Sequence, residues 1–582
     1  DEDGSVARDL QTLCELELIE IDTGEAEPAY IFRHEITRDV AYGLLTHSQR
    51  RPLHRAVAEW YERSSGMPEL ERNSALLAHH WRMAHEPQRA RPYLEQAAER
   101  ALRGGAFLEA AQLYAMLSAE TSQQPDDGMK LAQWERGEAA ARYFLGELEM
   151  ARVLLERAVG RLDRPVPKGR LAVAAGLLRA VAKQLAHLLY PRRYHNRRST
   201  EKGSLDQAVD SYKILTQINY LTGQTGGELI YLVLAGLNVG EEAGASPELA
   251  RELANLAGVV GLIKLRSLAD SYAARAVRLA EREGHSEALA YVWNLHSLLE
   301  AQRADWQAAI TDNDRGLELF GEVGDYNLEA ELWQTRSALF ICRGDFSGAE
   351  VCWTRTRELA ARNTNPQVES WSLLDEVQTE LARDHIAAAG RALEAALAIE
   401  TSETDGHAQI EKHYSTAGTR LGEGRRDEAM VSADHVIEMV ARETPTGFHW
   451  ADFAAGATEV YIDLLGSATT DSERAQLERR ARRACRVLRP IASRFAGIRS
   501  RRWLLIARLE WERGRSTRAL RAWRRADAAA RQLGGDYDLA RAKLELIRQG
   551  LAGAERERLL ADAIATFEQL GATRELRRAQ SL

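Results

Sequence analysis

Hydrophobic and polar positions alternate along most of the chain with the spacing of amphipathic helices that come in pairs. Between paired helices one phrase recurs: a glycine or other small residue, any residue, an aromatic or aliphatic residue, two further positions and an alanine. Glycine suits the left-handed backbone that ends many helices, and alanine lets two helices approach closely. The phrase therefore predicts helical hairpins. Its copies begin at Gly105, Gly146, Gly203, Ala304 and Gly344, with weaker copies at Asp384, Gly424 and Gly514.

The spacing of these copies identifies the repeat. Ala304 and Gly344 lie 40 residues apart, and Gly424 follows at twice that distance. The tetratricopeptide unit, also a helical hairpin, has ~34 residues. We therefore predict an all-α fold, a tetratricopeptide-like α-solenoid wound as a right-handed superhelix. Residues 201–300 carry only a blurred phrase, although Ser246 and Pro247 there form a strong helix start.

The N-terminal block, residues 5–62, lacks the phrase and shows another order of elements. A helix, a strand, a turn-rich loop, a second strand and two helices follow one another, as in a winged helix. The predicted elements are Val6–Leu16, Glu17–Asp22, Tyr30–Phe32, Glu35–Leu45 and Arg50–Glu62. The predicted domains are a winged-helix remnant at 1–62, first repeats at 63–200, irregular helical repeats at 201–300 and repeats with a period near 40 at 301–582.

Composition and charge exclude several classes of protein. With 582 residues the chain is too long for one core, and 45% hydrophobic and 28% charged residues are ordinary for a soluble protein. The net charge of −9 does not indicate a particular class of partner. Four scattered cysteines predict reduced thiols rather than a disulfide framework. Cys342 and Cys352 could adjoin within one repeat, but two small buried residues are the favoured interpretation.

The start of the chain and its most apolar segment bear on location. The chain opens at Asp1 with no signal peptide, so we expect a cytoplasmic protein and the C-terminal part of a longer one. The segment Leu171–Tyr190 is interrupted by Arg179 and Lys183, which predicts a buried or amphipathic helix rather than a membrane span. The basic residues 190–198 that follow could contact anionic lipid, but an inter-repeat loop is favoured.

One stretch resembles a known family. The sequence YIFRHEITRDVAY at 30–42, RRPLH at 50–54 and LAHHW at 77–81 resemble the junction of bacterial STAND-type signalling ATPases. In that family an ATPase module precedes a winged helix and tetratricopeptide repeats follow. Many members carry a class III nucleotide cyclase, a kinase or a DNA-binding domain as output. The resemblance covers about 80 residues sharply and the remainder only as repeats.

The resemblance implies a role and a set of partners. This chain would be a non-catalytic sensor and scaffold region that binds a protein or small-molecule inducer and controls an upstream ATPase domain. ATP or ADP would bind in that domain, because this chain has no GxxxxGK[ST] phosphate loop and we expect no cofactor within it. Two alternatives stay open: a free-standing tetratricopeptide adaptor, and an enzyme regulatory subunit whose basic C-terminal face holds an acidic partner.

Histidines are the strongest candidates for ligand-binding, metal-binding or catalytic residues. The resemblance implies that His34 contacts the phosphates of bound ADP, with charge added by Arg33 and Arg38; the alternative is a histidine that caps the strand-to-helix turn. His79, His80 and His85 lack the i, i+4 spacing of helical metal ligands, so we expect no metal site. We find no catalytic serine, histidine and acid set, and we expect no enzyme.

The strongest charge cluster lies near the C-terminus. Residues 471–531 hold 19 Arg against 6 Asp and Glu. Such a cluster could bind an acidic protein or ligand, and nucleic acid is not expected. Trp503, Trp511 and Trp523 are interleaved with it, although they could equally be core positions. The candidate partner-binding residues are Arg479, Arg480, Arg482, Arg483, Arg501 and Arg502.

Overall fold

The computed structural model describes residues 5–22, 29–64, 66–121, 128–190, 202–222, 226–321, 326–363, 365–399, 406–442, 445, 447–548 and 554–582. The described chain is 86% helical. Its helices are α1 Ser5–Glu15, α2 Glu35–Leu44, α3 His47–Ser64, α4 Met67–Arg72, α5 Ser74–Met83, α6 Pro87–Arg103, α7 Phe107–Thr121, α8 Gly128–Phe144, α9 Leu148–Arg161, α10 Arg170–Leu189, α11 Lys202–Leu221, α12 Gly227–Ala243, α13 Pro247–Leu262, α14 Arg266–Glu283, α15 Ser286–Arg303, α16 Trp306–Glu318, α17 Tyr326–Arg343, α18 Phe346–Asn363, α19 Pro366–Ala382, α20 Ile386–Ala398, α21 Gly406–Gly422, α22 Arg426–Arg442, α23 Phe448–Gly466, α24 Asp471–Arg494, α25 Arg499–Glu512, α26 Ser516–Leu533, α27 Asp536–Arg548, α28 Ala554–Leu570 and α29 Thr573–Gln580. Two strands, β1 Ile19–Asp22 and β2 Ala29–Phe32, complete the described elements apart from two short 3-10 turns.

The chain divides into two compact units, Asp1–Arg100 and Ala101–Leu582. The division falls inside α6, whereas the sequence suggests a first boundary at residue 62. The predicted domain boundaries describe a change of repeat character, and they stay predictions.

The first unit has the predicted order of a helix, two strands and further helices. Strands β1 and β2 pair antiparallel, with Ile19 opposite Phe32. Its small core lies among α3, α5 and α6 and contains Ala58, Leu77, Trp81, Ala84 and Ala90. By contrast α2 buries no residue. Strand β2 and helix α2 therefore expose apolar side chains that the core of this unit does not cover.

The second unit consists of consecutive helical hairpins. The first helices of successive hairpins contact one another and form an inner row, and the second helices lie outside them. This confirms the predicted fold class, an all-α tetratricopeptide-like α-solenoid. The hairpins are α8–α9, α11–α12, α13–α14, α15–α16, α17–α18, α19–α20, α21–α22, α23–α24, α25–α26 and α27–α28.

Most phrase positions lie in the hairpin turns, as predicted. Gly344 and Gly514 have φ of +80° and +71°. Ala304 and Asp384 adopt the same left-handed backbone, with φ of +63° and +65°. Gly203 is different: it lies within α11 rather than in a left-handed turn, because the helix already begins at residue 202. The start at Ser246 is confirmed, since its side chain accepts a hydrogen bond from the Leu249 amide at 3.1 Å.

Helix α10 stands outside the hairpin pattern. It packs against α12, while α9 contacts α11 directly. Within α10 Ala180, Gln184 and His187 are buried, and an apolar stripe including Leu171, Leu178 and Leu189 is exposed. Of the helices that the structure describes, α10 alone has the length and apolar composition to cross a membrane. The helix is thus not buried, because only one narrow face packs; most of residues 190–198 lies outside the described chain.

The inner row closes on itself after about five hairpins. Tyr220 of α11 faces His407 of α21, with ring centroids 4.5 Å apart. Phe346 of α18 faces Tyr537 of α27 at 5.6 Å. Both pairs join hairpins that are five steps apart along the chain. Asp384, just after α19, also pairs with Arg577 of α29. The second unit therefore completes a tight superhelical turn around a narrow interior, called the lumen below.

Candidate functional site

The lumen holds a cavity of about 280 Å³. Its wall comes mainly from the inner helices α11, α13, α15, α17, α19, α21 and α23. These helices bring together side chains from residue 143 to residue 453, so the site exists only when the superhelix closes. Apolar and aromatic residues supply much of the wall, among them Tyr143, Tyr220, Tyr291, Trp371, Phe448 and Phe453.

Two histidines line the cavity and are neutral. His407 accepts a hydrogen bond from the Trp450 indole at 2.9 Å, and the His449 imidazole lies 3.1 Å from it. Burial lowers the pKa of His449 to about 4. Burial, together with the neighbouring His449, also holds the pKa of His407 well below its usual value. Both rings therefore contribute polar aromatic surface and no charge near neutral pH.

The cavity wall carries an excess of acidic groups. Four carboxyl side chains line it: Glu331, Asp375, Glu411 and Asp452. Among the described residues of the wall there is no Lys or Arg. Asp452 is matched from outside the cavity by the buried Arg501, and Glu411 accepts a hydrogen bond from Gln378 at 3.0 Å. The lumen is therefore an acidic and largely aromatic compartment.

Asp375 is the most unusual of these groups. It is 2% exposed, and burial raises its pKa to about 7 although the neighbouring Ser337 and Gln334 lower it. Its Oδ2 has no hydrogen-bond partner within the described chain. The same holds for Oδ1 of Asn294 and Oε1 of Gln334. Three acceptor oxygens on the successive inner helices α15, α17 and α19 thus remain unmatched in the cavity wall.

Small residues leave open space in the wall. Gly258 of α13 lines the cavity, and a Cβ added there would meet no atom within 4 Å.

Cys342 also lines the cavity, and burial raises its pKa well above the usual value. Cys342 and Cys352 are both free and lie on paired helices α17 and α18. Cys352 is buried, as the favoured interpretation has it, whereas Cys342 is only half-buried.

The predicted basic cluster divides into an exposed and an internal part. Arg479, Arg482 and Arg483 are exposed on the outer helix α24. Arg480 is half-buried and pairs with Asp434 at 3.1 Å. Exposed arginines of the outer helix α26 continue the same sequence cluster: Arg518, Arg521, Arg524 and Arg525. We call the exposed arginines of α24 and α26 the basic face.

Arg501 and Arg502 do not belong to the basic face. Arg501 lies on the inner helix α25, where it pairs with Asp452 and lies 3.7 Å from Glu459. Arg502 is half-buried, with its guanidinium 5.0 Å from the centre of the Trp503 ring. The repeat phrase places α25 in the inner row, so its polar side chains face the interior. The charge of Arg501 is therefore used within the protein, whereas the role of Arg502 stays a prediction.

The tryptophans of this region are not equivalent. Trp523 is almost fully buried, while Trp511 is 42% exposed. Their ring centroids lie 5.9 Å apart. Trp503 lies between Arg502 and Arg525, whose guanidinium is 4.7 Å from its ring centre. Trp523 is therefore a core position, whereas Trp503 supports the arginine side chains around it.

His34 is exposed at the N-terminus of α2. Its backbone is extended, with φ of −131° and ψ of 133°, and its side chain makes no capping hydrogen bond. Arg33 pairs with Glu17 at 2.9 Å, and Arg38 pairs with Asp39 at 2.9 Å. The capping alternative is therefore not what the structure shows, and the His34 imidazole faces solvent within the first unit.

The three histidines considered for metal binding do not come together. His80 contacts His54 instead, with their Nδ1 atoms 2.9 Å apart, and His79 lies beside both rings. Burial, His54 and His79 lower the pKa of His80 to about 4. His85 ends the helix region with a left-handed backbone, φ +58°. Within the described chain no group of His, Cys, Asp or Glu could hold a metal ion.

Sequence reasoning missed the lumen residues. Trp371, Asp375 and Gln378 recur at three- and four-residue steps on α19, and Glu331, Gln334 and Thr335 do so on α17. Polar residues that recur along one face of a helix are a usable signal. It does not reveal that the stripes of successive hairpins face one another across the lumen, because that depends on the superhelical pitch.

No family model matches the chain, and no curated protein matches it. Among solved structures it is similar to the yeast Tom70, with 12% identity, a TM-score of 0.29, and coverage of 87% of this chain and 97% of the other. A monomeric mutant of IFIT1 with Gppp-AAAA shares 12% identity, with a TM-score of 0.24 and coverage of 78% and 89%. Naa15/Naa10 bound to HypK-THB shares 12% identity, with a TM-score of 0.22 and coverage of 91% and 84%.

Proposed function

We propose that the second unit is the non-catalytic sensor of a signalling protein and binds a small-molecule inducer in its lumen. The observation that carries the proposal is the cavity of about 280 Å³ where the inner row closes. Ligand cavities in proteins are concave, mostly apolar and furnished with a few polar groups. The lumen has all three properties.

The size of the lumen favours a small molecule over a protein segment. Tyr220 and His407 meet across it, and Trp306 of α16 approaches Phe448 of α23 with ring centroids 6.2 Å apart. A folded partner has no room between such contacts. A ligand that bridges hairpins five steps apart stabilises the closed turn, and this coupling gives the repeat array a way to transmit occupancy.

A steric block tests the proposal. Gly258→Trp projects a large side chain into the lumen, and the open space at this position lets the helix accept it. Gly160→Trp is the matched control, because Gly160 is exposed on α9 and also has open space around a Cβ. Each protein is mixed with a cell metabolite extract, desalted and measured by native mass spectrometry. We expect a bound small molecule in wild type and in Gly160→Trp and none in Gly258→Trp. Absence of any adduct in wild type contradicts the proposal.

We further propose that the first unit docks on the ATPase domain of a STAND-type protein, as the family resemblance implies. The support is apolar surface: Tyr30, Ile31 and Phe32 are each at least 40% exposed, and Ile36 and Leu44 of α2 are at least 78% exposed. Several large exposed apolar side chains on one small unit favour an interaction site. ATP or ADP would bind in that domain, and this chain would hold no cofactor and carry no enzymatic activity.

The docking proposal makes His34 a phosphate contact. If it donates a charge-assisted hydrogen bond to bound ADP, its loss shifts a two-state switch roughly 5- to 150-fold. The measurement is the ADP dissociation rate of a protein that carries the ATPase module, wild type against His34→Ala. The exposed His47→Ala is the control. Equal rates in all three proteins reduce His34 to a surface residue.

A second candidate function is that of a cytoplasmic protein-interaction adaptor, with or without an ATPase. The observation that favours it is the basic face, which lies on the outer helices and not in the lumen. The two functions use different surfaces, so Gly258→Trp leaves binding at the basic face unchanged if both hold.

A further inference from the structure

We propose that the lumen selects an organic cation, a primary ammonium compound with an apolar or aromatic remainder. The inference rests on the proposed sensor function and specifies its ligand. It comes from the chemistry of the cavity wall around Asp375.

Charge in the wall favours a cation. Glu331, Asp375, Glu411 and Asp452 line the cavity, and no Lys or Arg does so among its described residues. Asp452 is matched by the adjacent Arg501, which lies outside the cavity wall. An anionic ligand would therefore enter a compartment of its own sign, where charges are poorly screened. A cation finds complementary charge.

The aromatic residues of the wall favour the same ligand class. Tyr220, Tyr291, Trp371, Phe448 and Phe453 belong to it. An ammonium group is attracted to the faces of such rings, most strongly where water is excluded. His407 and His449 do not oppose a cation, because burial keeps both imidazoles neutral. An aromatic or alkyl remainder can pack against the apolar part of the same wall.

The unmatched oxygens indicate a ligand rich in hydrogen-bond donors. Asp375 Oδ2, Asn294 Oδ1 and Gln334 Oε1 accept no hydrogen bond within the described chain. Buried acceptors without a partner are costly, and most proteins avoid them. All three belong to residues of one cavity wall. A primary ammonium group has three N–H donors and no acceptor, which matches this set of three acceptors.

The protonation state of Asp375 explains how the site tolerates a buried carboxyl group when no ligand is bound. A buried carboxyl with no cation beside it holds its proton more tightly, as its raised pKa records. An ammonium ligand supplies the missing charge, and the carboxylate form then prevails. The structure thus contains a carboxyl group whose environment is incomplete without a cation.

Isothermal titration calorimetry tests the inference with three ammonium probes: 2-phenylethylammonium, 1,4-diaminobutane and spermidine. The neutral 2-phenylethanol is the isostere of the first probe. We expect at least one ammonium probe to bind, and we expect 2-phenylethylammonium to bind roughly tenfold or more tightly than 2-phenylethanol. Asp375→Asn should weaken ammonium binding roughly tenfold or more, since it removes a charge-assisted hydrogen bond. Asp527→Asn on the outer helix α26 should leave it unchanged.

A gain-of-function variant keeps the inference testable if Asp375→Asn does not fold. Asn294→Asp adds a carboxylate to the same wall and should tighten ammonium binding but not 2-phenylethanol binding. Equal affinities of ammonium and hydroxyl probes, unaffected by either variant, overturn the inference while the sensor proposal stands. If no probe binds, the adduct found with the metabolite extract decides: an amine supports the inference, and a neutral or acidic adduct that Gly258→Trp abolishes overturns it alone. No adduct at all overturns both.

Discussion

Phe346 lies edge-on to Tyr537, with ring centroids 5.6 Å apart and ring planes at 86°. The two rings belong to hairpins five steps apart, so this contact is part of the closure of the superhelix. Gly344 adds to it, because a Cβ at that position would overlap the Tyr537 ring. The glycine of this phrase is thus required twice, for its left-handed backbone and for the close approach of another hairpin.

A double-mutant cycle measures this closure. Phe346→Ala should cost about 3–5 kcal/mol, because Phe346 is buried in a shared cluster with Ala540, Leu544 and Phe567. Combined with Tyr537→Ala, it should show a coupling of about 0.5–1.5 kcal/mol in the free energy of urea unfolding. The distant pair Phe107→Ala and Tyr537→Ala is the control and should be additive. Additivity of Phe346 and Tyr537 would separate the two hairpins energetically.

The sequence was sufficient for the local fold because the repeat phrase is local. It predicts the burial of Phe346 and Ala349, which are 5% and 0% exposed. It does not predict that Phe346 contacts Tyr537 as well as its own repeat. That contact depends on how small rotations between successive hairpins accumulate, and no single residue determines them.

The candidate sites show the same limit. Arg479 and Arg501 look alike in sequence, yet one is exposed on an outer helix and the other pairs with Asp452 inside the protein. The difference is whether a helix comes first or second in its hairpin, which the phrase does reveal once the frame is fixed. The cavity around Asp375 needs the closed turn as well, and so the sequence alone did not indicate it.

Ala304→Gly should stabilise the protein. Ala304 has φ of +63°, a backbone that costs a residue with a side chain about 1–2 kcal/mol. Glycine removes that strain but loses more entropy on folding, so we expect a net gain of up to about 1 kcal/mol. The mirror experiment is Gly514→Ala, at φ +71° with open space around the added Cβ. It should lower the melting temperature by a similar free energy. Destabilisation by Ala304→Gly, or stabilisation by Gly514→Ala, would contradict the strain argument.

Glu252 should make stability fall as pH rises. It is fully buried beside Gly236, and burial raises its pKa to about 8. The unfolded chain releases this proton near pH 4.5, whereas the folded protein retains it until about pH 8. The contribution to stability is therefore complete below pH 4.5 and is lost as pH rises through 8, by a few kcal/mol in total, at about 1.4 kcal/mol per pH unit.

The variant Glu252→Gln checks the sign of this effect. It keeps the shape and cannot ionise, so its stability should vary less between pH 5 and pH 9, a range of about four units over which most of the effect develops. Urea unfolding of both proteins across that range is the measurement. Wild type should lose stability relative to Glu252→Gln as pH rises toward about 8, and the difference should level off above that pH. Parallel curves for the two proteins would show that Glu252 does not titrate within this range.

The basic face should bind an acidic partner in a salt-dependent manner. Its arginines are exposed, and screening weakens such contacts as ionic strength rises. The test is binding of fluorescent poly-L-glutamate, with salt raised from about 50 to 200 mM, a range over which multi-charge contacts weaken severalfold or more. Reversing Arg479, Arg482 and Arg483 to Glu should abolish binding and leave the melting temperature unchanged, because none of the three is buried.

Arg480 is left in place, since its pairing with Asp434 contributes to the fold. The control reverses Arg282, Arg362 and Arg442, which are exposed on other outer helices and change the net charge equally. Binding that persists in high salt would rule out an electrostatic site, and an equal loss in the control would show that net charge rather than the basic face determines binding.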